Sequence, residues 1–270
     1  MAYEMHNLII NNSEKLFGEI NIPGDKSITH RAIMLASLAQ WKTQIQNYLI
    51  SEDCMSTIKI MKLLGVNISE SEENLFVEGR GINSLSEPNE PLYAGNSGTL
   101  MRLLSGIMAM QSFESTIVGD DSLNKRPMKR IIEPLKSMGA IINSNNSKAP
   151  LQIKSNKLKK PINFFSKIPS AQVKSCLIFA ALFAEGESII EEIAHTRDHT
   201  EKLLKHFNYP IEIIDKKVII QGKKNFNAKQ ISIPSDISSA AFFIVAALMK
   251  KDSEIIIKNV GLNSFRTGIL

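Results

Sequence analysis

Apolar and polar positions follow the same order four times along the chain. A short alternating run leads into a polar loop, and the loop into a longer stretch of small and apolar residues. The four stretches are INIPGDKSITHRAIMLASLA from Ile20, PLYAGNSGTLMRLLSGIMA from Pro91, INFFSKIPSAQVKSCLIFAALFA from Ile162 and ISIPSDISSAAFFIVAALM from Ile231. Period-two alternation predicts a strand, and the run that follows predicts a buried helix. The serines Ser27, Ser97, Ser170 and Ser238 mark the loops 70, 73 and 68 residues apart, the signature of a duplicated unit.

A second pattern keeps step with the first. SEDCMSTIKIMKLLGVNI, KRPMKRIIEPLKSMGAII and TRDHTEKLLKHFNYPIEI each open on a charged turn, continue with helical periodicity and break at Gly65, Gly139 or Asn208 before a strand. Polar starts and glycine or asparagine stops are helix punctuation. The repeating unit is therefore strand, helix, strand, helix, strand, an α/β (α+β) arrangement with a mixed sheet on one side and helices on the other. In the fourth copy the second helix is expected near Asn263, and Leu270 falls inside that unit. The chain is accordingly read as a truncated piece of a longer protein.

Composition narrows the function class. With 43% hydrophobic and 22% charged residues over 270 positions, the chain reads as an ordinary globular protein. The longest apolar run, Ile237 to Met249, is shorter than the roughly 20 residues a bilayer needs, so no membrane partner is expected. Glu4, Glu14 and Glu19 interrupt the first twenty residues, and the two cysteines, Cys54 and Cys176, lack metal-site spacing; both point to a cytoplasmic protein. The net charge of +5 comes from scattered lysine pairs without interleaved aromatics, so no nucleic-acid partner is expected.

The cations in the repeat loops carry more information. Lys26, Ser27 and Arg31 stand at the first strand-to-helix turn, with Ser27 and Arg31 four apart on one helix face. Asn96, Ser97 and Gly98 offer backbone N–H groups at the second turn. Arg126, just before Pro127, is expected to open the second helix of that copy. The third copy supplies Ser170, Ala171 and Gln172, then Thr196 and Arg197. Hydroxyls, amides, lysine and arginine at helix N-termini suit a polyanionic small molecule.

Competing motifs fail on spacing. Gly24-Asp25-Lys26-Ser27 lacks the glycine a P-loop places before its lysine, and Gly79-Arg80-Gly81 has Ser84 where a dinucleotide fingerprint needs glycine. His195 and His199 flank Asp198 rather than a zincin glutamate, so no metal is expected.

Taken together and in order, GDKSITHRA, GNSGT, RPMKRIIEPLKSMGA, PSAQVKS, TRDHTE and PSDISSAA resemble the EPSP synthase family, the 3-phosphoshikimate 1-carboxyvinyltransferases. The likeness is closest to the bacterial branch with an S-A-Q third loop, and it runs from about Leu16 to the last residue. It implies an inside-out α/β barrel, the enolpyruvyl transferase fold: two similar domains, each of three units around a pseudo-threefold axis with helices inside, and a cleft between them. Residues 20–233 would be one complete domain, 1–19 the first strand of the interrupted other, and 234–270 that domain's partial first repeat.

The resemblance also implies a reaction. The enolpyruvyl group of phosphoenolpyruvate passes to the 5-hydroxyl of shikimate 3-phosphate and phosphate leaves, with no metal or organic cofactor. Lys26 would touch both substrates and assist proton transfer. Ser27 and Arg31 would hold the shikimate carboxylate, and Ser170, Ala171, Gln172, Thr196 and Arg197 the shikimate phosphate side. Asn96, Gly98, Arg126 and again Gln172 would take phosphoenolpyruvate. The family's hydroxyl-activating aspartate and its proton-transfer glutamate have no counterparts in this sequence, so the chain alone is expected to bind without turnover. Two alternatives stand beside this: a non-catalytic phosphate-ligand-binding fragment, and the sister transferase acting on UDP-N-acetylglucosamine. Against the sister enzyme stand the cysteine-free loop Asp120 to Lys125 and the K-S-x-x-x-R pattern. Self-association through the incomplete domain is the expected protein contact.

Overall fold

The computed structural model describes residues 12–71 and 74–270. The chain enters through β1 (Phe17–Ile20) and runs through α1 (Lys26–Leu38), β2 (Gln40–Gln46), α2 (Glu52–Leu63), β3 (Asn67–Ser71) and β4 (Asn74–Arg80). A second unit follows as β5 (Leu92–Tyr93), α3 (Gly98–Met108), β6 (Ser115–Val118), α4 (Asp121–Asn124), α5 (Lys129–Ser137), β7 (Ile141–Asn145) and β8 (Lys148–Lys154). The third comprises β9 (Asn163–Ser166), α6 (Ala171–Ala181), β10 (Glu187–Glu192), α7 (His199–His206), β11 (Ile211–Ile214) and β12 (Lys217–Gln221). Last come β13 (Ile231–Ser232), α8 (Ile237–Leu248) and β14 (Glu254–Ile257).

Three four-stranded sheets share one topology: β13-β2-β4-β3, β5-β6-β8-β7 and β9-β10-β12-β11. In each, the first pair is parallel and the other two are antiparallel. The unit thus carries one more strand than its sequence pattern predicted, because each closes on a hairpin (β3–β4, β7–β8, β11–β12). Asn146 and Ser147 turn the second hairpin with φ of 50° and 56°, values that asparagine tolerates better than most residues. The helix stops behave as the sequence implied: Gly65 and Gly139 have φ of 88° and 95°, and Asn208 has 58°.

Helices α1, α3 and α6 lie inside, buried on nearly every side. Each fully covered Leu, Ile or Phe of this core contributes about 1.5–3 kcal/mol relative to exposure. Small residues let the helices approach: a methyl group at Gly106 of α3 would stand 2.1 Å from the Cys176 carbonyl oxygen of α6. Buried serines are satisfied within their own helices, Ser37 on Ile33 O at 2.8 Å and Ser105 on Met101 O at 2.7 Å.

Two strands pair away from their own sequence neighbours. β1, which precedes α1, runs parallel to β14, with Phe17 opposite Glu254. β13, which precedes α8, completes the first sheet beside β2, with Ile231 opposite Ile45. The two connections cross side by side, Asp25 N donating to Pro234 O at 2.8 Å and Asp236 N to Pro23 O at 3.0 Å. The same aspartates cap α1 and α8 through their side chains, whereas Ser97 and Ser170 cap α3 and α6. Ser27 and Ser238 are thus inside their helices rather than at the caps.

Beyond the crossing a small second core gathers Ile22, Ile237 and Ala240, with Ile20, Ile244, Ile257 and Val260 against it. The other apolar positions of α8 face outward: Phe242 and Leu248 are 78% and 79% exposed. The helix expected near Asn263 is replaced by turns, with Arg266 N donating to Asn263 O at 2.7 Å. Asn263 is instead engaged sideways, its amide donating to Asp198 Oδ1 at 2.6 Å.

Candidate active site

The N-termini of the three inner helices lie next to one another and bring the repeat loops together. At the first, Asp25 accepts from Ile28 N at 2.9 Å and fixes the turn that presents Lys26 and Ser27. Lys26 is half-exposed and its Nζ is 3.0 Å from Asp53 Oδ2, near the start of α2. Arg31 lies one turn deeper and is 1% exposed. Its Nε donates to Thr200 Oγ1 at 2.8 Å, Nη2 to Ser175 Oγ at 2.9 Å and Nη1 to Ser27 O at 2.9 Å. One N–H on each terminal nitrogen is left uncommitted. Burial first, then the neighbouring Arg197, lowers the Arg31 pKa to about 10. The lateral alignment of Ser27 and Arg31 is therefore real, but Arg31 also ties α1 to α6 and α7.

The second loop is built around an arginine over a glycine. Arg126 Nη2 donates to Asn96 Oδ1 at 2.8 Å, and the Asn96 amide donates to Asp120 Oδ2 at 2.7 Å. A methyl group at Gly98 would meet Arg102 Nη1 at 2.8 Å and Arg126 Nη1 at 3.2 Å, so the missing side chain is what admits both guanidiniums. Arg126 does not open a helix: it lies in the link between α4 and α5, and α5 begins at Lys129 with Met128 as its cap. Pro127, expected in the first turn of that helix, lies instead in the link, two residues before Lys129.

The third loop joins the second through Gln172. Its Nε2 donates to Thr99 Oγ1 at 3.0 Å, and its Oε1 accepts from Arg102 Nη1 at 2.9 Å. Ser170 caps α6, accepting from Val173 N at 3.4 Å, and Ala171 is buried behind it. A cleft of about 480 Å³ opens here, lined in part by Arg102, Arg130, Ser170 and Gln172. Burial, then Arg126 and Arg130, depresses the Arg102 pKa, as expected where cations crowd without a counter-charge.

Thr196 and Arg197 stand on the other side, between β10 and α7. Arg197 Nη1 reaches Ser27 Oγ at 3.4 Å, and Thr196 Oγ1 donates to Glu192 Oε1 at 2.7 Å. Burial, followed by Arg266, depresses the Arg197 pKa. The predicted residues thus fall into two contacting groups: Ser27, Arg31 and Arg197 in one, and Asn96, Gly98, Arg126 and Gln172 in the other. His30 lies between them, fully buried, with Nδ1 2.6 Å from Thr57 Oγ1 and Nε2 3.4 Å from Ser97 Oγ.

Four contributors escaped the sequence reading: Asp53, His30, Arg102 and Lys174. A signal for two of them was present. Arg102 and Lys174 are the lone cations of the largely apolar helices α3 and α6, each about one turn inside the N-terminus. A charge so placed must be compensated by something brought in from another element.

A family model described as EPSP synthase (3-phosphoshikimate 1-carboxyvinyltransferase) matches residues 10–270. The chain belongs to the EPSP synthase family. Among curated relatives, the 3-phosphoshikimate 1-carboxyvinyltransferase of Vesicomyosocius okutanii is 47% identical over 266 residues, covering 98% of this chain. That of Listeria innocua is 46% identical over 263 residues and 97% of the chain. A solved EPSP synthase from Acinetobacter baumannii, 39% identical, superposes over 97% of the chain with a TM-score of 0.90. The chain spans 61% of the length of these curated relatives and 59% of the Acinetobacter chain. The fold expected from the resemblance is therefore the fold found. Among the described residues no group of three or more His, Cys, Asp or Glu is arranged to hold a metal ion. No described helix is long and apolar enough to cross a membrane.

Proposed function

We propose that this chain carries the shikimate 3-phosphate-binding loops, and part of the phosphoenolpyruvate-binding loops, of an enolpyruvyl transfer site. In that reaction the 5-hydroxyl oxygen gives up its proton and bonds to the enol carbon of phosphoenolpyruvate while the methylene carbon takes a proton; the resulting methyl group then loses a proton as inorganic phosphate departs, which restores the double bond. The observation that carries the reading is a pair of anion-seeking clusters at the ends of neighbouring inner helices, Ser27 with Arg197 at α1 and Gly98, Arg126 and Gln172 around Arg102 at α3 and α6, bridged by the contact of His30 with Ser97.

Ser27 and the uncommitted N–H groups of Arg31 hold the shikimate carboxylate from below. Ser170, the Ala171 backbone, Gln172 and Arg197 take the phosphate side, with Thr196 next to them in the chain, and Lys26 spans both substrates and assists proton transfer. Gly98, Asn96 and Arg126 hold the phosphoenolpyruvate phosphate, where a backbone N–H and a guanidinium act together.

Residues 24–233 form the body that binds shikimate 3-phosphate, while 12–23 and 234–270 contribute to a second body reached through the crossing strands; of the stretch 1–19 expected to supply that body's first strand, residues 1–11 lie outside the described residues. The exposed face of α8 supports self-association of the chain through that second body. The unpaired, buried thiols of Cys54 and Cys176 support a reducing, cytoplasmic setting.

The chain binds ligand without completing the transfer. Support comes from the carboxylates beside these loops, which are engaged within the protein: Asp25 with Ile28 N, Asp53 with Lys26, Asp120 with Asn96 and Leu123 N, Asp236 with Ser238 N, and Glu192 and Glu201 with Lys174. Calorimetry with shikimate 3-phosphate and a phosphate-release assay test both parts. Binding without phosphate release is expected. Absence of binding overturns the assignment, and sustained release overturns the second part.

A further inference from the structure

The S-A-Q loop motif continues into a lysine, Lys174, that the reading above leaves without a task. It is 5% exposed on α6, with Nζ 2.6 Å from Glu192 Oε2 at the end of β10 and 2.7 Å from Glu201 Oε1 on α7. The same Nζ is 3.4 Å from the Thr196 carbonyl oxygen. Two carboxyl groups thus share one buried ammonium, and Glu201 Oε2 has no hydrogen-bond partner among the described residues. Isolated buried charges of this kind are costly, and breaking one such contact costs more than the pair itself contributes.

Thr196 is where this network meets the surface. Glu192 takes Lys174 on Oε2 and the hydroxyl proton of Thr196 on Oε1, 2.7 Å away. That hydroxyl has no proton left to donate to an anion. What the bond does instead is pin the backbone of residue 196 from two directions, side chain to Glu192 and carbonyl to Lys174. The next residue is Arg197, whose guanidinium stands over Ser27 Oγ.

We infer that Lys174 and Glu192 are positioning residues: through Thr196 they hold Arg197 over the first loop, and Thr196 itself does not donate to the ligand. This rests on the proposed phosphate site for its biological meaning, but the brace itself is a property of the ligand-free chain. The sequence Lys174, Glu192, Thr196, Arg197 then works as one lever from the inner helix to the rim.

Thr196→Val is the cleanest probe, since it cuts the link and leaves both Lys174 ion pairs in place; Thr196→Ser should restore it. Arginine side-chain Nε–Hε NMR of the full chain, without ligand, reads the brace directly. Restricted motion of Arg197 is expected in the parent and Thr196→Ser proteins, with release in Thr196→Val. Unchanged Arg197 motion in a folded Thr196→Val protein overturns the inference.

Titration with shikimate 3-phosphate supplies the second arm. Thr196→Val should weaken binding on the order of tenfold in the parent and not at all in an Arg197→Ala background, as coupled residues behave. Equal losses in both backgrounds would mean that Thr196 contacts the ligand itself, and would overturn the inference. If the parent fails to bind while Arg197 is released in Thr196→Val, the functional assignment falls and the brace stands.

Discussion

Lys26 Nζ lies 3.0 Å from Asp53 Oδ2 across the gap between the first turns of α1 and α2. Both partners are partly exposed, so the pair contributes only about 0–1 kcal/mol to folding. Its effect is on where the ammonium points. Lys26→Met is expected to leave the melting temperature within about 4 °C of the parent and to weaken shikimate 3-phosphate binding roughly tenfold to a hundredfold, the loss of one charge-assisted contact. Paired calorimetry and thermal melts check this; a large fall in melting temperature would show that the pair is structural.

Gly98→Ala separates space from stability. The added methyl meets only the far ends of Arg102 and Arg126, which swing aside at little cost to the fold. The binding geometry does change. Phosphoenolpyruvate affinity, measured with shikimate 3-phosphate saturating, should fall on the order of tenfold or more, while shikimate 3-phosphate affinity alone stays near the parent value. Equal losses for both ligands would contradict the division of the loops.

Gly106→Ala makes the opposite prediction. The methyl would collide with the Cys176 backbone, which belongs to a packed helix and cannot rotate away. Overpacking of this kind costs about 1–3 kcal/mol or more. Urea denaturation should show a midpoint shift without any selective change in ligand preference.

Acid should unfold the chain through its buried histidines. Burial, the leading cause for both, lowers the pKa of His30 and of His199 from 6.5 to about 3. Between those values the unfolded chain binds protons that the folded chain does not. The stability is therefore complete above pH 6.5 and lost as pH falls toward 3, with a slope on the order of 1.4 kcal/mol per pH unit per histidine. Asp25 and Glu201, whose pKa values burial raises, act in the other direction and soften the decline. Urea midpoints from pH 4 to 7 measure the slope; His30→Gln should flatten it.

The apolar face of α8 predicts association that depends on concentration. Phe242, Leu248 and Met249 are exposed on one short helix beside a core of only three buried residues. Sedimentation velocity should reveal self-association that Phe242→Lys with Leu248→Lys abolishes, with no loss in melting temperature. Hydrogen exchange should find α8 less protected than α6 in the monomer.

The helices and their ends were legible in the sequence because local chemistry decides them. Ser97 and Ser170 cap where they stand, and Gly65, Gly139 and Asn208 stop helices by their own backbone freedom. Strand partnership was not legible from the local pattern and came only with the family resemblance, which set the first strand in one domain with residues 234–270. Ile20-Asn21-Ile22 and Ile231-Ser232-Ile233 are nearly the same word, so nothing local says that the two should exchange sheets. The loop residues of the site could be read from their spacing, whereas the depth of Arg31 and the triad around Lys174 depend on groups from distant elements, Thr200, Glu192 and Glu201.

The exchanged strands also set a timetable for synthesis. β1 leaves the ribosome first, yet its partner β14 lies 237 residues later, from Phe17 to Glu254. At about 5–20 residues per second it waits roughly ten to fifty seconds with an open edge. The first sheet likewise lacks its outer strand until Ile231 emerges, although three of its strands are made by Arg80. Helices α1, α3 and α6 can assemble in order during this interval, but the first unit cannot close until the third is finished. β1 and the open edge of β2 are thus the described segments that wait longest for their partners, and the ones a chaperone would meet during synthesis.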